Sequence, residues 1–387
     1  MSRNTSCSRR AFLQGIGYSS ALGLLSKSIP AQNSLLPVTP IEFAYVASAG
    51  SCKDDSGIHV FEVRGGEWKW KQWVQSQAPT SLTLHPNRRA LYVANEISEY
   101  RGLPRGTVEA YKIDANDGTL DQINRQPLSL SGVRPKHLAI SPDGKHLIVA
   151  IHGGGAYNVL PIGLDGAIGR VTQILKETGS GPHAASQTSA HPHSSMFDPR
   201  GQYILATDEG CDRINVFAFQ DGRIIPAARA ACTPASGPAH LAIHPSGGFF
   251  YVVNRLGGSI DLYNWQALTT EMKHAQRIKI SSASGLNYGQ PFVLSRKGDM
   301  LYAAGTEGIS AWKIDSASGR LSLRQQKNLE NRSLISLNFS PNGNLFAIDH
   351  RRHQILSIPV HAESGESGPP ITVADVSLPQ SLMIIPA

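Results

Sequence analysis

The segment from Ser189 to Phe217, SAHPHSSMFDPRGQYILATDEGCDRINVF, concentrates side chains that can move protons and hold anions. His191 and His193 stand two apart, and Asp208, Asp212 and Arg213 follow in a D-E-G-C-D-R cluster. An imidazole with an ordinary pKa of about 6.5 can take a proton from water near neutrality, a step typically worth about 10²–10⁴-fold in rate. A guanidinium within reach of a carbonyl oxygen can stabilise a developing oxyanion by about 3 kcal/mol. These residues therefore suit the opening of a cyclic ester by water, with His191 or His193 as base, Arg213 as anion holder and Asp208 orienting the imidazole. Two other uses stay open. Histidines at i and i+2 of an extended strand face one side and could share a zinc ion, with Asp208 as third ligand. Short carboxylates also cap loop N–H groups, which is an equal expectation for Asp212.

Other chemistries have no local support. The chain lacks a G-x-S-x-G elbow, a P-loop and a dinucleotide fingerprint, so serine-nucleophile hydrolysis, phosphoryl transfer and hydride transfer are not indicated. Cys52, Cys211 and Cys232 cannot all pair with one another, and no C-x-x-C occurs, so neither a disulfide framework nor a zinc ribbon is indicated.

What positions the candidate residues is a repeat. SLTLHPNRRALYVANE (81–96), HLAISPDGKHLIVAIH (137–152), SSMFDPRGQYILATDE (194–209), HLAIHPSGGFFYVVNR (240–255), FVLSRKGDMLYAAGTE (292–307) and SLNFSPNGNLFAIDHR (336–351) align with one another. Each is a short apolar strand, a Pro-x-Gly-like turn and a second apolar strand; proline fixes φ and glycine supplies φ > 0. A variable loop and a third strand follow (TVEAYKI, INVFAF, SIDLYNW, GISAWKI), and Asp-Gly or Ser-Gly turns lead to a fourth. Pro86 to Pro386 spans 300 residues over six intervals. Four antiparallel strands at that period predict an all-β, seven-bladed β-propeller over residues 43–387. The last unit, SLMIIPA (381–387), stops after its first strand, while FAYVAS (43–48) and GIHVFEV (57–63) lack one. The C-terminal strand is therefore expected to complete the first blade and leave no free sheet edge. Trp265 and Trp312 fall on third strands and are expected to pack between blades.

In a propeller the Pro-x-Gly turns share one face, and the loops after the second strand share the other with the approach to each inner strand. His191, His193 and Asp208–Arg213 should meet on that second face near the channel, joined by Glu96, His152, His240 and Arg255 from other blades.

Q-x-x-x-H-P-H (Gln187, His191, Pro192, His193) followed by D-x-G-x-D-R (Asp208, Gly210, Asp212, Arg213) resembles the lactonase-type seven-bladed propeller family, which includes bacterial 6-phosphogluconolactonases and, more remotely, fungal muconate-lactonizing enzymes. Asn95-Glu96 and Gly237-Pro238-x-His240 are similar to the family as well. The resemblance implies a lactone hydrolase acting on a small molecule without a metal or other cofactor. Glu96, Gln187, Asp212, His240 and Arg255 would then bind substrate. There are departures: Ala239 stands where members commonly have arginine, and Asn254-Arg255 where they commonly have Asn-Glu. A cycloisomerase using arginines to hold carboxylates, and a propeller that binds a partner or carbohydrate without catalysis, are the alternatives on this scaffold.

The first 31 residues read as an address label. Ser8-Arg9-Arg10-Ala11-Phe12-Leu13-Gln14 fits a twin-arginine export pattern, and the apolar run Gly15–Leu25 is too short to span a bilayer. Residues 32–42 would link it to the propeller. Removing residues 1–31 takes away Arg3, Arg9, Arg10 and Lys27 and no acid, so the formal charge falls from +7 to +3. A nucleic-acid partner loses most of its support by that arithmetic. A periplasmic or secreted monomer with no stable membrane insertion is expected.

Overall fold

The computed structural model describes residues 40–50, 55–280, 291–305, 308–329 and 332–387. The expected export signal, most of the linker, and Cys52 lie outside the described residues. Among those described, no helix is long and apolar enough to cross a membrane. They form seven four-stranded antiparallel sheets, one per blade, in which consecutive strands pair from the channel outward. Blade 1 alone departs from sequence order: the C-terminal strand Pro379–Pro386 lies innermost, against Ile41–Ser48. Phe43 pairs with Ile385 and Tyr45 with Met383, and the Ala387 N–H adds a bond to the Ile41 carbonyl at 3.0 Å. The terminal split of the first repeat is thus the closure of the ring.

Burial follows the position of each strand. Second strands such as Ala90–Asn95 and Phe249–Asn254 are buried throughout, because both faces of a blade are covered. Outer strands such as Glu67–Gln75 are largely exposed. Seven apolar clusters fill the seven gaps between neighbouring blades. The cluster joining blades 7 and 1 sets Phe346, Ile348 and Ile355 against Val46, Leu382 and Ile384. Trp265 lies in the cluster between blades 4 and 5, edge-on to Tyr203, and Trp312 packs beside the one between blades 5 and 6.

A polar bolt repeats in the same gaps. Tyr45, Tyr92, Tyr251 and Tyr302 hold one position of the second strand. Each donates its hydroxyl to a glycine carbonyl in the last turn of the next blade, respectively Gly118, Gly166, Gly319 and Gly365, at 2.7–3.1 Å. A buried hydroxyl needs such a partner, and each bond fixes the angle between two blades. Glycine is required at 118 for two reasons: φ is +74°, and a Cβ there would run into the Phe43 ring of blade 1.

Removing residues 381–387 takes the buried Leu382, Ile384 and Ile385 out of two clusters. At about 1.5–3 kcal/mol for each fully buried aliphatic side chain, unfolding free energy should drop by at least about 5 kcal/mol. Denaturant titration of the truncated chain measures it; a loss under about 1 kcal/mol would mean the strand does not close the ring.

Candidate functional site

Among the described residues, the propeller brings two positions of six repeats to the same rim. The first is the residue just past the second strand. Its N–H bonds the carbonyl of the chain approaching the inner strand: Ala49 to Leu378, Glu96 to Ala78, Glu209 to His191, Arg255 to Gly237 and His350 to Ser333, all at 2.8–3.1 Å. His152 occupies that place in blade 3. The second is a bulged residue at the start of the inner strand, where the register breaks after the first residue. Thr80, Lys136, His193, Ala239, Ile335 and Gln380 stand there, unpaired in their ladders. A bulge takes its residue out of the strand's alternation and re-aims the side chain. The i, i+2 rule therefore does not apply to His191 and His193: His191 precedes the strand Pro192–Phe197, and His193 is the bulge.

In blades 3, 4 and 5 these positions hold five ionisable groups (Lys136, His152, His193, Glu209 and Arg255) and Ala239, and Glu209 is the hub. Its carboxylate accepts from the Arg255 Nε at 3.0 Å and from a terminal guanidinium nitrogen. The Nε2 atoms of His152 and His193 each lie 3.8 Å from its other oxygen. Burial raises the Glu209 pKa, but the His152 ring and the Arg255 guanidinium overcome it and hold the carboxyl down at about 2. Glu209 is consequently an ionised anchor at neutral pH and too weak a base to take a proton from water.

Beside this hub is a cavity of about 440 Å³ whose walls include His152, His191, Glu209, Arg255, Arg134 and Ser186. The His191 and His152 rings stack, 4.5 Å between centroids and 11° from parallel. His191 Nδ1 lies 2.9 Å from the His152 carbonyl oxygen, which can only accept. The proton must therefore sit on Nδ1, and Nε2 of the neutral ring carries the lone pair. Behind this front, His193 is edge-on to His240 at 4.7 Å and to His152 at 6.0 Å. Burial, with neighbouring imidazoles and cations adding to it, pushes His137 and His240 down to about 4 and His193 well below its ordinary value.

The remaining expected residues lie nearby and make hydrogen bonds or ion pairs of their own. Asp208 accepts from the N–H groups of His191 and Gly210, at 2.8 and 3.1 Å, and pairs with Arg213 at 2.9 Å. Arg213 also holds Glu177 at 2.6 Å, and Glu177 in turn holds Arg229. Neither Asp208 nor Arg213 lines the cavity. Asp212, in the left-handed region at φ 47°, accepts from the N–H of Ala235 and Gly237 and the Ser236 hydroxyl, as a loop cap does. Gln187 is buried and donates to the Glu209 carbonyl at 2.8 Å, fixing the hub from behind. Glu96 stands at the rim of blade 2, paired with Lys136 at 2.9 Å. Motif spacing passed over Glu209 and Arg134. Glu209 was within reach of the repeat alignment, since it shares a column with Glu96, His152 and Arg255. Among the described residues, no group of three or more His, Cys, Asp or Glu is disposed to hold a metal ion.

The sequence model of a family described as Lactonase, 7-bladed beta-propeller, matches residues 43–384. The chain is 30% identical over 292 residues to a 6-phosphogluconolactonase of Formosa agariphila, covering 72% of this chain and 81% of that protein. It is 26% identical over 256 residues to the 6-phosphogluconolactonase of Bacillus subtilis, covering 65% of this chain and 71% of that one. Among solved structures, the periplasmic gluconolactonase of Pseudomonas aeruginosa superposes with a TM-score of 0.80 at 25% identity, over 89% of this chain and 99% of that one.

The buried histidines make stability depend on pH. With His137 and His240 at about 4 when folded and 6.5 when free, the unfolded chain takes up protons between those values that the native state does not. Stability is therefore fully present above about pH 6.5 and is lost as pH falls towards 4. Melting temperature against pH should show that slope, and His240→Gln should flatten it. An unchanged slope in the variant would mean His240 is already protonated in the fold.

Proposed function

The chain belongs to the Lactonase family of seven-bladed β-propellers, and from that premise and the geometry of the rim we propose that it is a lactone hydrolase working at the His152–His191–Glu209–Arg255 cavity. The observation that carries this is the tethered His191, whose bond to the His152 carbonyl leaves a lone pair on Nε2 of a cavity-lining ring. His191 Nε2 takes a proton from water as the water oxygen adds to the lactone carbonyl carbon. The carbonyl oxygen becomes an oxyanion facing Arg255, which Glu209 holds in place. The carbonyl re-forms, the ring C–O bond breaks, and the leaving alkoxide takes the proton back from His191. Arg255 thereby fills the part expected of Arg213, and the His152 carbonyl the orienting part expected of Asp208; the pairing of Arg213 with both Asp208 and Glu177 suits a framework role.

The substrate proposed is a sugar or small organic lactone without a phosphate. The twin-arginine pattern at Ser8–Gln14 supports export, to the periplasm or beyond, away from the compartment that retains sugar phosphates. The likeness to a periplasmic gluconolactonase supports the same location. Ala239, at the bulge of blade 5, removes a cation that family members commonly present there.

Hydrolysis of glucono-δ-lactone followed with a pH indicator tests the reading. The wild type should turn it over, and His191→Gln should lower kcat/KM at least 100-fold with little change in melting temperature. No turnover, or full turnover in the variant, would overturn it. A kcat/KM for the 6-phospho lactone exceeding that for glucono-δ-lactone by a hundredfold, about 2.7 kcal/mol of phosphate recognition, would overturn the substrate assignment.

A further inference from the structure

The two rim positions that carry the ionisable cluster in blades 3–5 are filled differently in blades 1 and 2. Past the second strands stand Ala49 and Glu96, and at the bulges Gln380 and Thr80. Together with Ser98 and Arg134 they line a second cavity of about 280 Å³. Arg134 belongs to the walls of both cavities, so the two adjoin at its side chain. Its backbone is in the left-handed region at φ 52°, an unusual conformation for arginine, with its N–H fixed to the Ile97 carbonyl at 2.9 Å. Half of the Arg134 side chain remains exposed. It pairs with one Glu96 oxygen at a loose 3.8 Å, while Lys136 holds the other at 2.9 Å.

The chemistry of the second compartment points to a hydroxyl-rich ligand. Thr80 and Ser98 offer hydroxyls, Gln380 an amide, Glu96 acceptors, and Arg134 donors, with Pro79 as an apolar wall. A sugar hydroxyl is donor and acceptor at once and can serve each of these groups. A second carboxylate or phosphate would have to sit beside Glu96. The first cavity alone falls in the range of about 300–1,000 Å³ that takes a whole small ligand, so a single ring does not call for the second.

We propose that the Thr80–Glu96–Ser98–Arg134–Gln380 compartment is a second subsite that binds a neutral glycosyl unit, making the substrate a glycosyl-substituted aldonolactone: a disaccharide lactone opened to the corresponding aldobionic acid. This rests on the lactone-opening reading of the first cavity. The added sugar binds in both ground and transition states and also orients the lactone ring, so the gain is expected in kcat/KM.

Kinetics on lactobiono-δ-lactone and glucono-δ-lactone test it. The wild type should favour the disaccharide lactone at least tenfold in kcat/KM. Thr80→Trp, which fills the compartment, and Gln380→Ala, a conservative rim change, should each bring the ratio between the two substrates towards one. Equal values in the wild type, or a preference that survives both substitutions, would overturn the subsite. If the wild type opens neither lactone, the lactone-opening reading fails by itself. Calorimetric titration with lactobionate then decides the subsite separately: binding that Gln380→Ala weakens supports it, and no binding overturns it.

Discussion

A four-stranded blade is apolar on both faces, and it can bury both only if it has a neighbour on each side. Everything else in this protein depends on that constraint. Seven blades satisfy it in a ring, and the ring shuts when Leu382 and Ile384 of the last strand enter the cluster of Phe346 and Ile348 from blade 7. The tyrosine hydroxyls that reach a glycine carbonyl in the next blade add direction to an interaction that is otherwise non-directional. Apolar burial alone would allow blades to slide; four such bolts around the circle fix the angle at which they meet.

Because the angle is fixed, equivalent residues of successive blades arrive at equivalent points on the rim, and function becomes a matter of which side chain each blade supplies. Blades 3, 4 and 5 supply His152, Glu209 and Arg255 at one position, with Lys136, His193 and Ala239 at the other. Glu209 and Arg255 stabilise each other's charged forms in a partly buried setting where an isolated charge would be costly. The neutral histidines behind them can line the channel without adding charge to it. Blades 1 and 2 supply Ala49 and Glu96 at the first position and the amide of Gln380 and hydroxyl of Thr80 at the second, a set that suits binding better than proton transfer. The division of labour runs between blades, on a backbone that barely changes.

The architecture was legible because its causes are local and repeated: Pro-x-Gly turns, mostly apolar second strands, a period of 50 residues, and a first unit missing the strand that the last one carries. The face of the site was legible for the same reason. Individual roles were less so. Asp208 and Arg213 have residue types suited to catalysis, yet Asp208 still belongs to the second strand and four residues beyond the hub, at Arg213, the chain has already turned back into its blade. Arg213 there meets Glu177, a residue 36 positions away whose approach no local pattern announces. The 3-10 turn Glu209–Cys211 and the left-handed Asp212 divide the motif, sending Glu209 to the channel and Asp212 to the next loop. Departures from the family pattern at 239 and 255 were visible as changes of charge, but their coupling was not. Arg255 makes sense only once it is seen gripping Glu209.

The central claim is that the rim positions do the chemistry and the residues inside the blade hold the scaffold. Arg255 and Arg213, two arginines each paired with a buried carboxylate, separate the two most directly. Measured side by side on glucono-δ-lactone, Arg255→Ala should lower kcat/KM of the folded enzyme by about 10²–10³ through loss of the oxyanion partner, together with a fall in melting temperature because it strands the buried Glu209. Arg213→Ala should chiefly lower the melting temperature, because it strands Asp208 and leaves Glu177 only Arg229, and should cost far less in kcat/KM for the folded enzyme. A larger fall in kcat/KM of the folded enzyme for Arg213→Ala than for Arg255→Ala would contradict the account.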